Sequence, residues 1–178
     1  MIQANKQTGM TLIEVMITLT IATILISATS PSLMTMVQNN RMVSMHNDLL
    51  SDLALTRSSA VTQGSNATLC ASNASGSQCL SNNTTWEYGW LVFNDPDNDA
   101  IIDNDETIIV ARNNLSKQLQ LVSSSHRVSF NTEGSALGFA SEFAFCDSRG
   151  DSSKKGLIVS NSGRSRVAKI NEIAVTCP

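Results

Sequence analysis

The N-terminal third of the chain carries two successive apolar patterns. Residues 15–40 include no Asp, Glu, Lys or Arg, and about 20 apolar residues are enough for a helix to cross the hydrocarbon of a bilayer. The segment therefore predicts a membrane-spanning helix over residues 10–37. Beyond it, apolar residues return every three, four or seven positions, at Met42, Met45, Leu49, Leu53 and Ala60. This period is typical of a helix with one buried face, so the helix is predicted to continue to residue 63 and to stop at Gly64.

The remainder of the chain has the pattern of a β-rich head. Residues 66–85 are rich in Ser, Asn, Thr and Gly, which indicates a loop, interrupted by a short strand at Ala67–Ala71. Short apolar runs between turn residues predict further strands at Tyr88–Phe93, Thr107–Ala111, Gln118–Val122, Arg127–Phe130, Glu142–Cys146, Leu157–Ser160, Arg164–Ile170 and Ile173–Cys177. Tight connections such as residues 161–163 favour consecutive hairpins. A long helix followed only by strands predicts an α+β fold, with the helix covering one face of a mostly antiparallel sheet.

One carboxylate, that of Glu14, lies at the start of the apolar segment. An ionisable side chain within a spanning helix costs about 2.5–3.5 kcal/mol on insertion scales and is retained mostly where a partner charge answers it. Glu14 is therefore expected to pair with a cation. A cleaved secretory signal peptide is the alternative interpretation, but its apolar stretch is about 7–15 residues long, and this segment is longer.

The string Gly9-Met10-Thr11-Leu12-Ile13-Glu14-Val15 resembles the class III leader junction of type IV pilins and type II secretion pseudopilins. The resemblance implies that a prepilin peptidase cuts between Gly9 and Met10 and that the new amine of Met10 is methylated. It also implies that Glu14 pairs with the N-terminal amine of a neighbouring subunit during assembly, and that Pro31 bends the helix. The chain would then consist of a leader (1–9), a long helix (10–63) and a periplasmic head (64–178).

The head sequence narrows the resemblance. The stretch Gly-Trp-Leu-Val-Phe-Asn-Asp at residues 89–95 is similar to that of minor pilins of the FimT and FimU kind and of H-type pseudopilins. This implies a minor subunit that helps prime pilus assembly from the inner membrane and ends near the pilus tip. Its expected partners are other minor and major pilins, the prepilin peptidase and the inner-membrane assembly platform. An H-type secretion pseudopilin is the alternative.

Four cysteines follow the apolar segment, and four cysteines allow three pairings. Loop-closure entropy favours near partners, which predicts the disulfides Cys70–Cys79 and Cys146–Cys177 and an oxidising periplasm. A zinc site is disfavoured because the chain has no Cys-x-x-Cys pair. The two histidines, His46 and His126, have no nucleophile motif or glycine-rich phosphate loop nearby. The sequence therefore predicts a structural protein and no enzyme.

An acidic segment at residues 95–106 matches much of the ligand pattern of a calcium loop. Oxygens occupy positions 1, 3, 5, 9 and 12 of an EF-hand spacing, at Asp95, Asp97, Asp99, Asp103 and Glu106. The sixth position is Ala100 rather than the usual glycine. The competing interpretation is a solvated hairpin tip whose Asp and Asn side chains bond their own backbone. No resident cofactor is predicted, and calcium is kept as a minority alternative.

The C-terminal part of the chain is basic although the whole chain has a net charge of −3. Gly163-Arg164-Ser165-Arg166 resembles the Gly-Arg-x-Arg element of DNA-binding minor pilins of the FimT type. Alternating residues of a strand face the same side, so the two arginines would project together, and Lys154, Lys155 and Lys169 would add to their field. Such groups bond duplex phosphates without reading sequence. The competing interpretation is an edge strand protected from aggregation by its charges.

Overall fold

The computed structural model describes residues 9–82, 84–113, 115–116 and 118–178, and it describes no side chains at residues 28–32. Most of the predicted leader, residues 1–8, and the side chain of Pro31 therefore lie outside the described part. The chain divides into two compact units, Met1–Asn39 and Asn40–Pro178.

One long helix, α1, spans Leu12–Gln63. Its end is set by Gly64, whose φ of +64° lies in the left-handed region, where glycine has no Cβ penalty. The predicted long helix and its stop are confirmed.

The described part of the first unit consists of residues 9–11 and the start of α1, and its described apolar side chains are exposed. Leu12 and Ile26 are 80% and 67% exposed, for example. The hydroxyls of Thr18, Thr20 and Ser27 donate to backbone carbonyls one turn earlier. Among the residues that the structure describes, no helix combines the length and apolar character needed to cross a membrane. The membrane span predicted over residues 10–37 is therefore not confirmed.

The second unit contains two antiparallel four-stranded sheets. The strands are β1 (Ala67–Ala71), β2 (Gly89–Asn94), β3 (Ile108–Asn113), β4 (Leu119–Ser123), β5 (Arg127–Phe130), β6 (Ser141–Asp147), β7 (Lys155–Val159) and β8 (Ser165–Ala168). The strand orders are β3-β2-β1-β5 and β4-β6-β7-β8. Single 3₁₀ turns occur at Asp151–Ser153 and Ile170–Glu172.

This topology corrects the prediction of consecutive hairpins. The β1–β2–β3 and β6–β7–β8 hairpins do form, but β5 pairs with β1 and β4 pairs with β6. Turn residues predict only the pairing of strands that follow each other in the sequence. Pairing between strands that are distant in sequence therefore cannot be read from them. The prediction of one sheet under the helix was therefore too simple.

The core of the second unit lies between α1 and one face of each sheet. The helix contributes the side chains predicted from its period, and these pack against Leu69, Trp90, Phe143 and Phe145. Because strand residues alternate between faces, the neighbours of these residues point to the opposite faces. There, Cys70, Leu91 and Phe93 form a smaller cluster with Cys79. A separate layer covers each sheet on the side away from the helix.

The C-terminal segment supplies that layer for the second sheet, and here the predicted strand Ile173–Cys177 is wrong. Ile173 packs on Ala144, Cys146 and Ala168. Its backbone neighbours bond side chains instead of another strand: Ala174 N–H donates to Glu142, and Cys177 N–H donates to Asp151. The alternating apolar pattern thus arises because one side of an irregular segment packs on the sheet, and no strand forms there.

Candidate assembly and binding surfaces

The predicted cleavage site precedes the helix. Gly9 and Met10 are in neither helix nor strand and are exposed, and Met10 is 68% exposed. Proteases bind accessible chain outside regular structure. The two residues of the predicted scissile bond are therefore exposed, and cleavage there stays a prediction.

Glu14 lies in the first turn of α1. Its backbone N–H donates to the Thr11 hydroxyl at 3.4 Å, so that Thr11 caps the helix with Glu14 at the capping-box position. The Glu14 side chain is exposed. Among the described residues it has no ion-pair partner. The helix N-terminus favours the acid, and Lys6 of the predicted leader lies outside the described residues.

The predicted DNA-binding arginines lie at the edge of the second sheet. Arg164 directly precedes β8 and is exposed, while Arg166 lies within it. Arg166 pairs with Ile158 of β7, so it points away from the helix-facing core. Its guanidinium donates to Glu172 at 2.8 Å, and this pairing lowers the pKa of the Glu172 carboxyl. The two arginines therefore lie on the same face of the second sheet. Part of the Arg166 charge is already neutralised by Glu172.

Gly163 holds the turn between β7 and β8. Its φ is +76°, and a Cβ there would lie 1.9 Å from the Gly134 carbonyl oxygen. Its N–H closes the turn by donating to the Ser160 carbonyl at 2.8 Å. The glycine of the Gly-Arg-x-Arg element is thus required by close backbone packing, whatever the arginines contact.

Not all of the predicted lysines add to the positive charge around Arg164 and Arg166. Lys154 is 6% exposed, and its Nζ donates to the Val175 carbonyl at 2.7 Å and lies 3.1 Å from Asp151. Its charge holds the C-terminal segment, which corrects its predicted role as a surface cation. Lys155 pairs with Phe145 and so lies on the helix-facing side of the sheet, opposite Arg166. Lys169 is exposed just beyond β8.

The acidic segment forms a loop between β2 and β3. Ligand oxygens of Asp95, Asp97 and Asp99 lie within 4.8 Å of one another. Ala100 adopts a φ of +63°, so the sharp turn predicted to need glycine forms with alanine. Burial raises the pKa of Asp95, whose carboxylate accepts bonds from Thr68 Oγ1 at 2.5 Å and from the Asp99 N–H at 3.1 Å.

The far end of this loop is closed by its own backbone. The Glu106 carboxylate accepts a bond from the Asp103 N–H at 3.1 Å. Burial, together with the nearby charges of Asp95, Asp97 and Asp103, raises the Glu106 pKa. The five predicted calcium ligands are thus held in one loop, and three of them are brought together.

Comparison with known sequences identifies the family to which the head belongs. A family model described as Type II transport protein GspH matches residues 46–163, and a model of the prokaryotic N-terminal methylation motif matches residues 4–30. This chain belongs to the GspH family. The methylation-motif match covers Gly9, Met10 and Glu14, on which the leader prediction was based. No curated protein sequence matches the chain.

Two solved structures share the fold of this GspH-family chain. Both are crystal structures of the type IV minor pilin FimU from Pseudomonas aeruginosa, each 17% identical to it. One covers 79% of this chain and 98% of the FimU chain with a TM-score of 0.56, and the other covers 76% and 98% with a TM-score of 0.53. The predicted α+β pilin-like fold is confirmed, as is the predicted kinship with both FimU-like pilins and H-type pseudopilins.

Sequence reasoning missed one residue that organises this GspH-family head. Asp52 of α1 is 2% exposed, and its carboxylate accepts bonds from Trp90 Nε1 at 2.8 Å and from Arg112 Nε at 2.9 Å. It therefore joins the helix to β2 and β3. In the sequence, Asp52 is recognisable only as a charged residue within the apolar pattern of the helix, and this pattern does not identify its partners.

Proposed function

We propose that this chain is a minor pilin, a structural subunit that is processed at Gly9–Met10 and helps to prime assembly of a type IV pilus. The supporting observation is the conjunction of the leader motif, an exposed apolar helical segment and a GspH-family head with the fold of FimU. Contiguous exposed apolar surface of this kind marks a site of protein or membrane contact. Anchoring in the inner membrane, and later burial against neighbouring subunits, are parts of the same proposal.

In this mechanism Glu14 sets subunit register. A freed Met10 amine of an adjoining subunit would answer the carboxylate, because an opposite charge within about 4–6 Å favours the ionised form. A misaligned subunit would leave both charges unpaired, and breaking a buried pair by removal of one partner costs about 3–5 kcal/mol. Only correctly staggered neighbours would then be stable.

The test is the substitution Glu14→Ala in cells that express the partner pilins. The variant should be produced and cleaved like the wild type, but it should be lost from sheared pili. The matched control is Glu133→Ala, because Glu133 is an exposed acid of the head. Wild-type levels of the Glu14 variant in the filament would refute the register mechanism.

Membership of a pilus rather than of a type II secretion system is a separate part of the proposal. The exposed basic end of the second sheet favours the pilus. Deletion of the gene should reduce surface piliation and twitching and leave protein secretion unchanged. The converse phenotype would assign the chain to the secretion branch as an H-type pseudopilin.

A second candidate function is contact with double-stranded DNA through Arg164 and Arg166. The supporting observation is that Arg164 and Arg166 are exposed residues at β8, an edge strand of the second sheet, and guanidinium groups bond phosphate oxygens bidentately. In mobility shifts with the full chain in detergent, Arg164→Ala/Arg166→Ala should weaken duplex binding. The salt dependence should also fall by about one phosphate contact per arginine removed. Lys154→Ala serves as a control for loss of the fold rather than loss of DNA contact, because Lys154 is buried. Equal binding by wild type and the double arginine variant would exclude this function.

For the acidic loop we infer a self-bonded hairpin without a resident ion. The carboxylates of Asp95, Asp99 and Glu106 already accept backbone N–H bonds within the loop. Millimolar calcium should then leave the melting temperature unchanged. A rise in melting temperature that disappears in Asp97→Asn, whose side chain is exposed, would establish the calcium site instead.

A further inference from the structure

A groove of about 530 Å³ opens in the second unit between α1 and the region of β8. Its apolar wall includes Val43, Val167 and Ile170, which are 41%, 62% and 47% exposed. Lys155 and Lys169 also line it. In the described part of residues 40–178, neither lysine amine has an ion-pair partner. The groove therefore combines apolar surface with two positive charges, of which that of Lys169 is partly offset by Glu172.

A buried imidazole lies in the same groove. His46 is 6% exposed, and its ring lies 5.2 Å from that of Phe145. Its Nε2 is buried and has no hydrogen-bond partner among the described residues. A buried polar atom without a partner costs about 1–3 kcal/mol. The enclosed Nε2 is out of reach of a docking group, whereas a carboxylate with apolar neighbours would match the two amines and the apolar wall.

The acidic loop of this chain offers that chemistry. Residues 95–106 contain six acids and no Lys or Arg. Ile101, near the middle of the loop, is 60% exposed. The side chains of Asp103 and Asp105 are exposed beside it. The loop thus presents an apolar residue among carboxylates, complementary in charge and in apolar character to the groove.

The two surfaces lie at opposite ends of the head along α1. The loop is fixed near the C-terminal end of the helix, because the Asp95 N–H donates to the Asn66 carbonyl and Asn94 donates to Gln63. The groove is lined by Val43, His46 and Asn47 of the same helix. The helix from residue 47 to residue 63 rises about 24 Å at 1.5 Å per residue. A loop anchored at one end therefore cannot fill the groove of its own chain.

We propose that the acidic loop of one copy of this chain seats in the groove of a second copy. Ile101 packs on Val43, Val167 and Ile170, while the carboxylates meet the amines of Lys155 and Lys169. Such a contact uses two different surfaces, so it repeats as an open chain unless the rotation between copies closes it into a ring. The inference rests on the proposed role as a filament subunit, since a repeated one-way contact is what a filament needs. A groove of this size gives a weak contact that adds to whatever the N-terminal segments contribute.

Charge reversal of each surface tests the proposal. The full chain is purified in detergent micelles and its self-association is measured by sedimentation. Asp103→Lys/Asp105→Lys and Lys155→Glu/Lys169→Glu should each weaken association about tenfold or more, because like charges then face each other. In a one-to-one mixture of the two variants, each loop finds a groove of opposite charge, intact with intact and reversed with reversed, so association should recover toward the wild-type level. Glu87→Lys/Glu133→Lys, which reverses two exposed acids elsewhere, should associate like the wild type.

A photo-cross-linking residue at position 101 identifies the contact. Its cross-links should join the loop of one copy to residues 155–170 of another. Unchanged association of both charge-reversed variants, or cross-links from loop to loop, would overturn the proposal. So would saturation of the groove by a small anionic ligand that leaves association intact. The result is independent of the Glu14→Ala test, which scores pilus incorporation in cells: each experiment can fail while the other succeeds.

Discussion

At the scale of single residues, Asp52 is the most consequential side chain of the head. It is a nearly fully buried acid whose bonds to Trp90 and Arg112 join the helix to the first sheet. Removing the carboxylate leaves the buried Trp90 Nε1 without a partner, whereas the half-exposed Arg112 can bond water. Asp52→Ala should therefore lower the free energy of unfolding by about 1–3 kcal/mol, measured by urea denaturation.

The control is Glu133→Ala, because Glu133 is an exposed acid of the head. It should change the free energy of unfolding by about 0.5 kcal/mol or less, as surface substitutions do. Equal losses in the two variants would mean that Asp52 contributes no more than an exposed acid.

A second residue-scale prediction concerns pH. The side chain of Arg149 donates to Asp147 at 2.6 Å and lowers the Asp147 pKa. A lowered carboxyl pKa contributes stability above the unfolded-state value, and this contribution is lost as pH falls through the folded-state pKa. Asp147→Asn should thus be less stable than wild type at pH 7, and the difference should shrink as pH falls below about 4. A difference that does not vary with pH would exclude this linkage; Glu133→Gln serves as the control.

At the scale of secondary-structure elements, the turn between β7 and β8 depends on a close approach of two backbones. Gly163→Ala introduces both a positive-φ penalty and a clash with the Gly134 carbonyl, and should destabilise the head by about 1–3 kcal/mol. Gly138→Ala separates the two causes, because Gly138 has a φ of +81° but open space around its Cβ. In thermal unfolding, Gly163→Ala should lose more stability than Gly138→Ala. Equal losses of stability would mean that the positive φ alone causes the effect and that the clash contributes nothing.

The two disulfides differ in the length of chain that they close. Cys146 and Cys177 are separated by 31 positions, and Cys70 and Cys79 by 9. The chain-entropy relation gives about 3.7 kcal/mol for the first loop and about 2.7 kcal/mol for the second. Replacing the Cys146–Cys177 pair by serines should therefore cost more stability than replacing the other pair. The reverse order in denaturant unfolding would contradict this account of the C-terminal segment.

These elements show how far the sequence alone could lead. The long helix, its glycine stop, β1, β5 and both disulfides follow from local period, turn chemistry and loop closure. The C-terminal segment was predicted as a strand because Ile173, Val175 and Cys177 alternate, and period alone does not distinguish a paired strand from a segment lying flat on a sheet. The burial of Lys154 beneath that segment was missed for the same reason. Two sheets instead of one resulted from pairings between strands distant in sequence.

At the scale of the whole molecule, the chain belongs to the GspH family and shares the fold of FimU, and the proposed function requires contacts with other subunits. The N-terminal segment exposes apolar side chains, and Glu14 has no partner cation among the described residues. The leader motif could be predicted from sequence because its residues are contiguous. The groove with His46 could not, because its walls come from the helix, from β7 and from the chain after β8.

The most direct measurement of the central claim is the mass of the N-terminal peptide of the protein recovered from sheared pili. The account predicts a chain that begins at a methylated Met10, with Glu14 as its fifth residue. A chain in the filament that still begins at Met1, or that begins at any residue other than Met10, would contradict it.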